Sequence, residues 1–239
     1  MPETPKPVPR VAPRMDAATL RAEPERVAEL IDHTNVDPVS TAAEVRELCE
    51  AVLAYDLNAA CVVPYHAELA AEVLGDDADV VVVVGFPYGV GNPAAKRAEV
   101  EALAEPADEL DMVLNRTAFA NGDDEAVVND IRAVKQAVGE EILKVIVESP
   151  TLADGEIRRA ARLVDEAGGD FVKTAVGYDG GCDASEVRAI REAVGPGMGI
   201  KASGGIGSFE DALEMVEAGA TRIGASSGAA IVESARGWG

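Results

Sequence analysis

Eight short runs rich in valine, isoleucine, leucine and alanine, each followed by a helix-like segment, leave this chain few ways to fold. The runs fall at residues 30–34, 59–63, 80–84, 109–114, 143–148, 170–174, 198–205 and 221–225. Apolar residues recur at helical spacing in the segments between them, at 41–54, 67–74, 93–104, 124–138, 154–167, 184–194 and 208–218. Each segment is about long enough to carry the chain from one parallel strand to the next. The run 80–84 is apolar on both faces, as a buried parallel strand must be. Gly75, Gly139, Gly168 and Gly219 stand where helices should stop, and Pro93 suits a first helical turn. The pattern predicts a single-domain (β/α)8 barrel over residues 16–239, with a doubly wound open sheet as the alternative. A helix over 17–30 should lead into the first strand, and 226–235 should form a short last helix. Residues 1–15 hold five prolines and no apolar period, so they read as a disordered or extended arm.

Charge narrows the choice of partners. A net charge of −22 with a pI near 4.4 repels nucleic acid and anionic membrane alike. The acids are spread along the whole chain, which excludes an acidic tail and favours a solvated, salt-adapted (halophilic) surface. Three cysteines without a pairing motif read as free thiols in a reducing, cytoplasmic compartment. No apolar run is long enough to span a membrane, and the first residues do not have the form of a signal peptide. His33 and His66 are the only histidines, so a three-histidine zinc site cannot be built and no metal or other cofactor is expected. His66, after Pro64-Tyr65, is predicted on the surface, and Trp238 in a mobile tail. A homo-oligomer, with an isologous dimer as the default, is the expected assembly.

The lysines carry the chemistry. Only six occur, and Lys144, Lys173 and Lys201 fall inside strand-like runs, where a solvated acidic surface has no use for them. Lys173 and Lys201 end neighbouring strands, whose backbones lie about 5 Å apart. Ammonium groups held at that spacing repel by ~3 kcal/mol at an effective dielectric of ~20, or roughly two pKa units. Such a shift turns an ordinary lysine, with a pKa of about 10.4, into a usable amine nucleophile toward a carbonyl. The competing reading makes one or both lysines buried salt-bridge partners of Asp111 or Glu148.

Asp111 points into the barrel if Val113 does, and a carboxylate there either shuttles a proton beside an iminium or acts as counter-ion to the lysines. Asp32 orients the site or a substrate hydroxyl, or caps the following helix. Ser203-Gly204-Gly205-Ile206-Gly207 and Gly224-Ala225-Ser226-Ser227-Gly228 follow the last two strands, where barrels bind phosphate on backbone amides. Read otherwise, they are tight turns. Cys61 is a small core residue or a neighbour of the site, and Phe86-Pro87 should wall the pocket.

Taken together, these stretches resemble the deoxyribose-phosphate aldolase family. The likeness runs from Leu30 to Ser227 through Ile31-Asp32-His33-Thr34, Val83-Val84-Gly85-Phe86-Pro87, Glu109-Leu110-Asp111-Met112-Val113-Leu114-Asn115, Lys144-Val145-Ile146-Val147-Glu148, Phe171-Val172-Lys173-Thr174, Lys201-Ala202-Ser203-Gly204-Gly205-Ile206 and Arg222-Ile223-Gly224-Ala225-Ser226-Ser227. The resemblance implies a metal-free class I aldolase of deoxynucleoside breakdown. It would cleave 2-deoxyribose 5-phosphate to glyceraldehyde 3-phosphate and acetaldehyde. It makes Lys173 the Schiff-base lysine, Lys201 the group that lowers its pKa and Asp111 part of the proton relay, with Asp32 in support. Gly177, Gly204, Gly205, Ser226 and Ser227 would then hold the phosphate, with Cys61, Phe86 and Lys144 near the pocket. One departure stands out: the family usually continues Lys-Thr with Ser-Thr-Gly, whereas this chain has Ala175-Val176-Gly177. The tail, Arg236-Gly237-Trp238-Gly239, also lacks the tyrosine often found in the family. An aldolase or transferase for another phosphosugar, or a silent phosphosugar-binding barrel, are the rival expectations.

Overall fold

A computed structural model describes residues 15–178 and 180–238; residues 1–14 of the expected arm lie outside them. Eight parallel strands close into a barrel in sequence order: β1 (Ile31–Asn35), β2 (Ala59–Val62), β3 (Asp79–Val84), β4 (Glu109–Val113), β5 (Ile142–Ile146), β6 (Phe171–Lys173), β7 (Gly199–Ser203) and β8 (Arg222–Ala225). Ile223 of β8 pairs with Ile31 of β1, which closes the sheet and rules out the open alternative.

The outer ring consists of α1 (Ala17–Ala22), α2 (Ala42–Ala54), α3 (Ala67–Leu74), α4 (Pro93–Ala102), α5 (Arg116–Ala120), α6 (Asp124–Val138), α7 (Asp154–Ala167), α8 (Ala184–Ala193), α9 (Phe209–Ala218) and α10 (Gly228–Arg236). Local chemistry explains their limits. Thr41 and Glu44 form a capping box at the start of α2, and Ser208 and Asp211 do the same for α9. The single helix expected over 17–30 is broken after Ala22, and a 3-10 segment, Pro24–Leu30, follows. Pro24 supplies no N–H and its ring crowds the preceding turn, so the first helix cannot run through it. Helix α5 has no strong apolar period and was not expected. Asn115 caps it by accepting from the Ala118 N–H at 3.0 Å.

Strand alternation divides the side chains between two interiors. Val80, Val82 and Val84 pack outward against the helices, while Val81 and Val83 join Ala59 and Cys61 inside the barrel. Val113, Ile146 and Val176 extend this inner apolar patch, and Phe86 packs against both groups. Each of the other strands contributes at least one charged side chain to the interior: Asp32, Glu109 and Asp111, Lys144, Lys173, Lys201 and Arg222.

Two expectations need correcting. His66 is buried rather than on the surface: the 3-10 turn Pro64–His66 tucks its ring under the β1–α2 loop, with Nε2 3.0 Å from the Ser40 carbonyl. Tyr65 is the exposed member of that turn. Trp238, exposed as it is, has a packing partner: its ring meets Phe209 edge-on at 5.1 Å between centroids.

Candidate active site

Strand register brings the charged positions together. Lys173 lies beside Lys201 across β6 and β7, and Asp111 beside Lys144 across β4 and β5. Their side chains meet on the barrel axis. One oxygen of Asp111, Oδ2, accepts from Lys173 Nζ at 2.7 Å and from Lys201 Nζ at 2.8 Å. The other, Oδ1, accepts from Lys144 Nζ at 2.9 Å. Lys201 Nζ also lies 2.5 Å from Asp32 Oδ2. Asp32 Oδ1 accepts from Arg222 at 2.8 Å and from Asn58 at 2.9 Å. Arg222 reaches Glu109 at 3.2 Å, and Glu109 lies 2.5 Å from Lys144 Nζ.

All seven charged groups are therefore paired; six of them are buried and Arg222 is largely so, and burial of charge demands such pairing. Burial opposes ionisation of Asp111, but Lys144, Lys173 and Lys201 outweigh it and hold the carboxyl well below the ordinary range. Asp32 is likewise held low, against burial, by Arg222, Lys201 and Lys144. On the cationic side, burial works to lower Lys201 and Lys144, but the carboxylates prevail and raise both. Two bare ammonium groups side by side were expected from strand register alone. The structure places a shared carboxylate, Asp111, against both.

Glycine makes room for it. A Cβ on Gly224 would lie 2.4 Å from Ser203 Oγ and 3.0 Å from Lys201 Cε, so only a bare backbone on β8 admits the Lys201 side chain.

Above the cluster opens a cavity of about 740 Å³ at the carboxyl ends of the strands. Of the seven charged groups, Lys173 is the one among its lining residues. Gly177, Gly204, Gly205, Ser226 and Ser227 line it too, and Gly204 and Gly205 both have positive φ. A Cβ on Gly204 would come within 2.9 Å of the Gly180 carbonyl, so the loop after β6 and the turn after β7 fit only as glycine. The two helices that follow differ. The N–H groups of Gly207 and Ser208 are taken by Asp211 at 3.0 and 2.9 Å, whereas Ser227 makes no side-chain cap on α10. The opposite wall is acidic, with Asp37, Glu44 and Glu47.

Residues 26–234 match the family described as DeoC/LacD family aldolase. The chain belongs to that family. It is 44% identical over 214 residues to "Deoxyribose-phosphate aldolase" of Streptococcus suis, covering 88% of this chain and 97% of the relative. It is 45% identical over 217 residues to the protein of that name from Thermococcus gammatolerans, covering 88% and 96%. A solved structure titled "Unique tetrameric structure of deoxyribose phosphate aldolase from Aeropyrum pernix" superposes with a TM-score of 0.82 at 31% identity, covering 92% and 97% of the two chains.

In this DeoC/LacD aldolase, every predicted polar site residue lies at the barrel centre or on the cavity wall. Lys144 is deeper than expected, fully buried beneath Asp111 and away from the lining. Cys61 is both core and neighbour: it is buried, and its Sγ is 4.0 Å from Asp111 Oδ2. Burial raises its thiol pKa. Phe86 does not line the cavity. It covers the inner apolar patch and meets Tyr178, a lining residue, edge-on at 5.4 Å. Glu109 and Arg222 belong to the cluster but had no role in the sequence reading. Strand parity would have found them, because they share a face with Asp111 and Gly224.

Proposed function

We propose that this aldolase cleaves 2-deoxyribose 5-phosphate reversibly to glyceraldehyde 3-phosphate and acetaldehyde through an imine on Lys173. The observation that carries this reading is the position of Lys173: it alone of the buried charged cluster lines the cavity, with an ionised carboxylate 2.7 Å from its nitrogen. The cluster holds four cations and three carboxylates, so release of one proton leaves it neutral. Released from Lys173, that proton exposes an amine at the cavity floor.

The amine attacks the aldehyde carbon of the open-chain sugar, and loss of water gives the iminium. The iminium draws in the electron pair of the C2–C3 bond as the C3 hydroxyl gives up its proton, and glyceraldehyde 3-phosphate leaves. The remaining enamine takes a proton at C2, delivered through Asp111 and water, and hydrolysis frees acetaldehyde. Lys201 fixes Asp111 in place, and Asp32 fixes Lys201. The route needs no metal, in keeping with carboxylates already taken up by lysine and arginine.

The phosphate is assigned to Gly177, the Gly204-Gly205 turn and Ser226-Ser227, where the α10 N-terminus has no side-chain cap. Val176 lines the same cavity without a hydroxyl, which favours contact through backbone amides. We further assign the chain to the cytoplasm as a homo-oligomer with a salt-adapted surface. Among the described residues no helix is long and apolar enough to cross a membrane. Unfolding curves at low and multimolar salt test the last assignment, since a salt-adapted fold gains stability as salt rises.

Borohydride trapping with acetaldehyde, followed by peptide mass mapping at high salt, tests the mechanism. A reduced adduct on Lys173, absent from Lys173→Ala, is expected. A folded wild-type protein that traps nothing would sink the reading. Release of acetaldehyde and glyceraldehyde 3-phosphate from the substrate tests the sugar assignment separately.

A further inference from the structure

Six of the seven charged groups close into a ring. Lys201 bonds Asp111, Asp111 bonds Lys144, and Lys144 contacts Glu109. Glu109 meets Arg222, Arg222 bonds Asp32, and Asp32 returns to Lys201. Cation and anion alternate without a break, three of each, so the ring as a unit is neutral. Lys173 is bonded to the ring from outside, through Asp111 Oδ2, and is its one surplus charge.

Along the chain of contacts from Lys173, Arg222 is the farthest member of the ring and Glu109 its neighbour, and neither lines the cavity. The Arg222 guanidinium lies over the Phe171 face, its carbon 5.6 Å from the ring centroid. Phe171 is fixed in turn by Gly199, where a Cβ would fall 2.4 Å from the aromatic carbons.

We infer that Arg222 and Glu109 are positioning residues for the aldol reaction: they set the charge of the ring, and the ring charge decides whether Lys173 sheds its proton. With both in place the ring is neutral and the cluster needs to lose only one proton, at Lys173, to be neutral as a whole. Without Arg222 the ring becomes anionic and holds the Lys173 ammonium. Without Glu109 it becomes cationic and expels that proton. The charged or titratable groups around Lys173 include its bonded partner Asp111 on β4, Lys201 on β7, Cys61 on β2, Asp32 and His33 on β1 and Lys144 on β5, with Glu109 and Arg222 beyond them; the buried Glu148, after β5, accepts from the Val176 N–H. Asp79 stands farther out, exposed at the start of β3. Glu109 and Arg222 can be neutralised without removing Asp111, the bonded partner of Lys173, or either of the lysines that share that carboxylate.

The inference rests on Lys173 as the imine-forming lysine, so the experiment reads that assignment first. Acetaldehyde trapping on Lys173 is followed against pH in wild type, Arg222→Gln, Glu109→Gln, the double variant and Arg222→Lys. Thermal unfolding checks that each is folded. A unit charge ~10 Å away at an effective dielectric of ~20 moves a titration by about one pH unit. Half-maximal trapping should shift up by about that much in Arg222→Gln and down by about that much in Glu109→Gln. The double variant and Arg222→Lys should return toward wild type. A purely structural role predicts weaker trapping at every pH, with no opposed shifts. Equal shifts in the two single variants, or none, would overturn the inference. So would failure of both to fold, which would assign the pair to stability alone. If Arg222→Gln alone fails to fold, the downward shift in Glu109→Gln and its reversal in the double variant are still required. Absence of an adduct in wild type would instead overturn the imine assignment itself.

Discussion

Replacing Asp111 by asparagine keeps the shape of the side chain and removes the charge that three lysines share. The three ammonium nitrogens lie 2.7, 2.8 and 2.9 Å from its oxygens, and the residue is fully buried. The variant leaves four cations facing two carboxylates inside the barrel. Removing one partner from a buried ion pair costs about 3–5 kcal/mol, a large part of the ~5–15 kcal/mol that holds a domain folded. For a domain of this size each kcal/mol moves the midpoint by about 2–4 °C, so calorimetry should show a fall of about 6–20 °C. Chemistry separates two roles of the carboxylate. The lysines lose their shared counter-ion, so one of them gives up its proton more readily, and Lys173 is the one at the cavity. Acetaldehyde trapping should therefore survive in the folded variant. Turnover of 2-deoxyribose 5-phosphate should fall by about 10²–10⁴, the usual worth of a positioned acid or base. An unchanged midpoint would refute the charge argument. Trapping and turnover lost in parallel, in a protein still folded, would refute the assignment of Asp111 to proton transfer after the imine has formed.

Three further outcomes follow from the geometry. Gly224→Ala puts a methyl against Ser203 and Lys201; overpacking should cost about 1–3 kcal/mol in chemical denaturation, and displacement of Lys201 should lower kcat by up to about 100-fold. Lys96→Met leaves Asp130, now 2.5 Å from Lys96 Nζ, as an unpaired buried carboxylate; it should cost about 3–5 kcal/mol, and Lys96→Met with Asp130→Leu should recover most of that. Burial lowers the pKa of His33 against an opposing contact with the Ala225 carbonyl. Below about pH 6.5 the unfolded chain then binds a proton that the folded chain refuses, so stability falls as pH drops through that window and rises with pH. The unfolding midpoint of His33→Asn should lack that slope.

Most of the architecture was legible because its signals are local. Each strand is a short apolar run, each helix carries its own cap or stop, and eight repeats of that unit leave few arrangements. The misreadings arose where the deciding contact was distant or lay in a turn. Pro24 split a helix whose apolar spacing continued past it. His66 looked exposed because nothing in Pro64-Tyr65-His66 announces that the Ser40 carbonyl waits for its ring. In the site, Lys173, Lys201 and Asp111 could be named from strand ends and family likeness. Arg222 and Glu109 were harder to name: strand parity puts them on the face of Gly224 and Asp111, but a lone arginine or glutamate at a strand start more often faces solvent, and their pairing depends on contacts across the barrel. Lys96 escaped for a similar reason: on α4 it reads as surface charge, yet it is buried against Asp130 and the Val113 carbonyl.

The division of the barrel interior explains why so much charge is buried at all. On β2 and β3 the inward positions are Ala59, Cys61, Val81 and Val83, a small and inert wall. Each remaining strand supplies at least one charged side chain, and these meet on the axis. As a stabilising device this would be a poor choice, because well-packed apolar residues of equal volume commonly match or exceed a buried ion pair. Four of the six lysines, Lys96, Lys144, Lys173 and Lys201, are nevertheless buried in a chain whose net charge is −22. An acidic exterior repels an anionic phosphosugar at long range, so attraction must be supplied locally, and a cationic surplus under a cavity supplies it. The same surplus is the one proton that Lys173 must lose to become a nucleophile. A neutral ring with one pendant ammonium therefore serves both steps: it attracts the anion while charged, and it becomes an amine at the cost of a single proton.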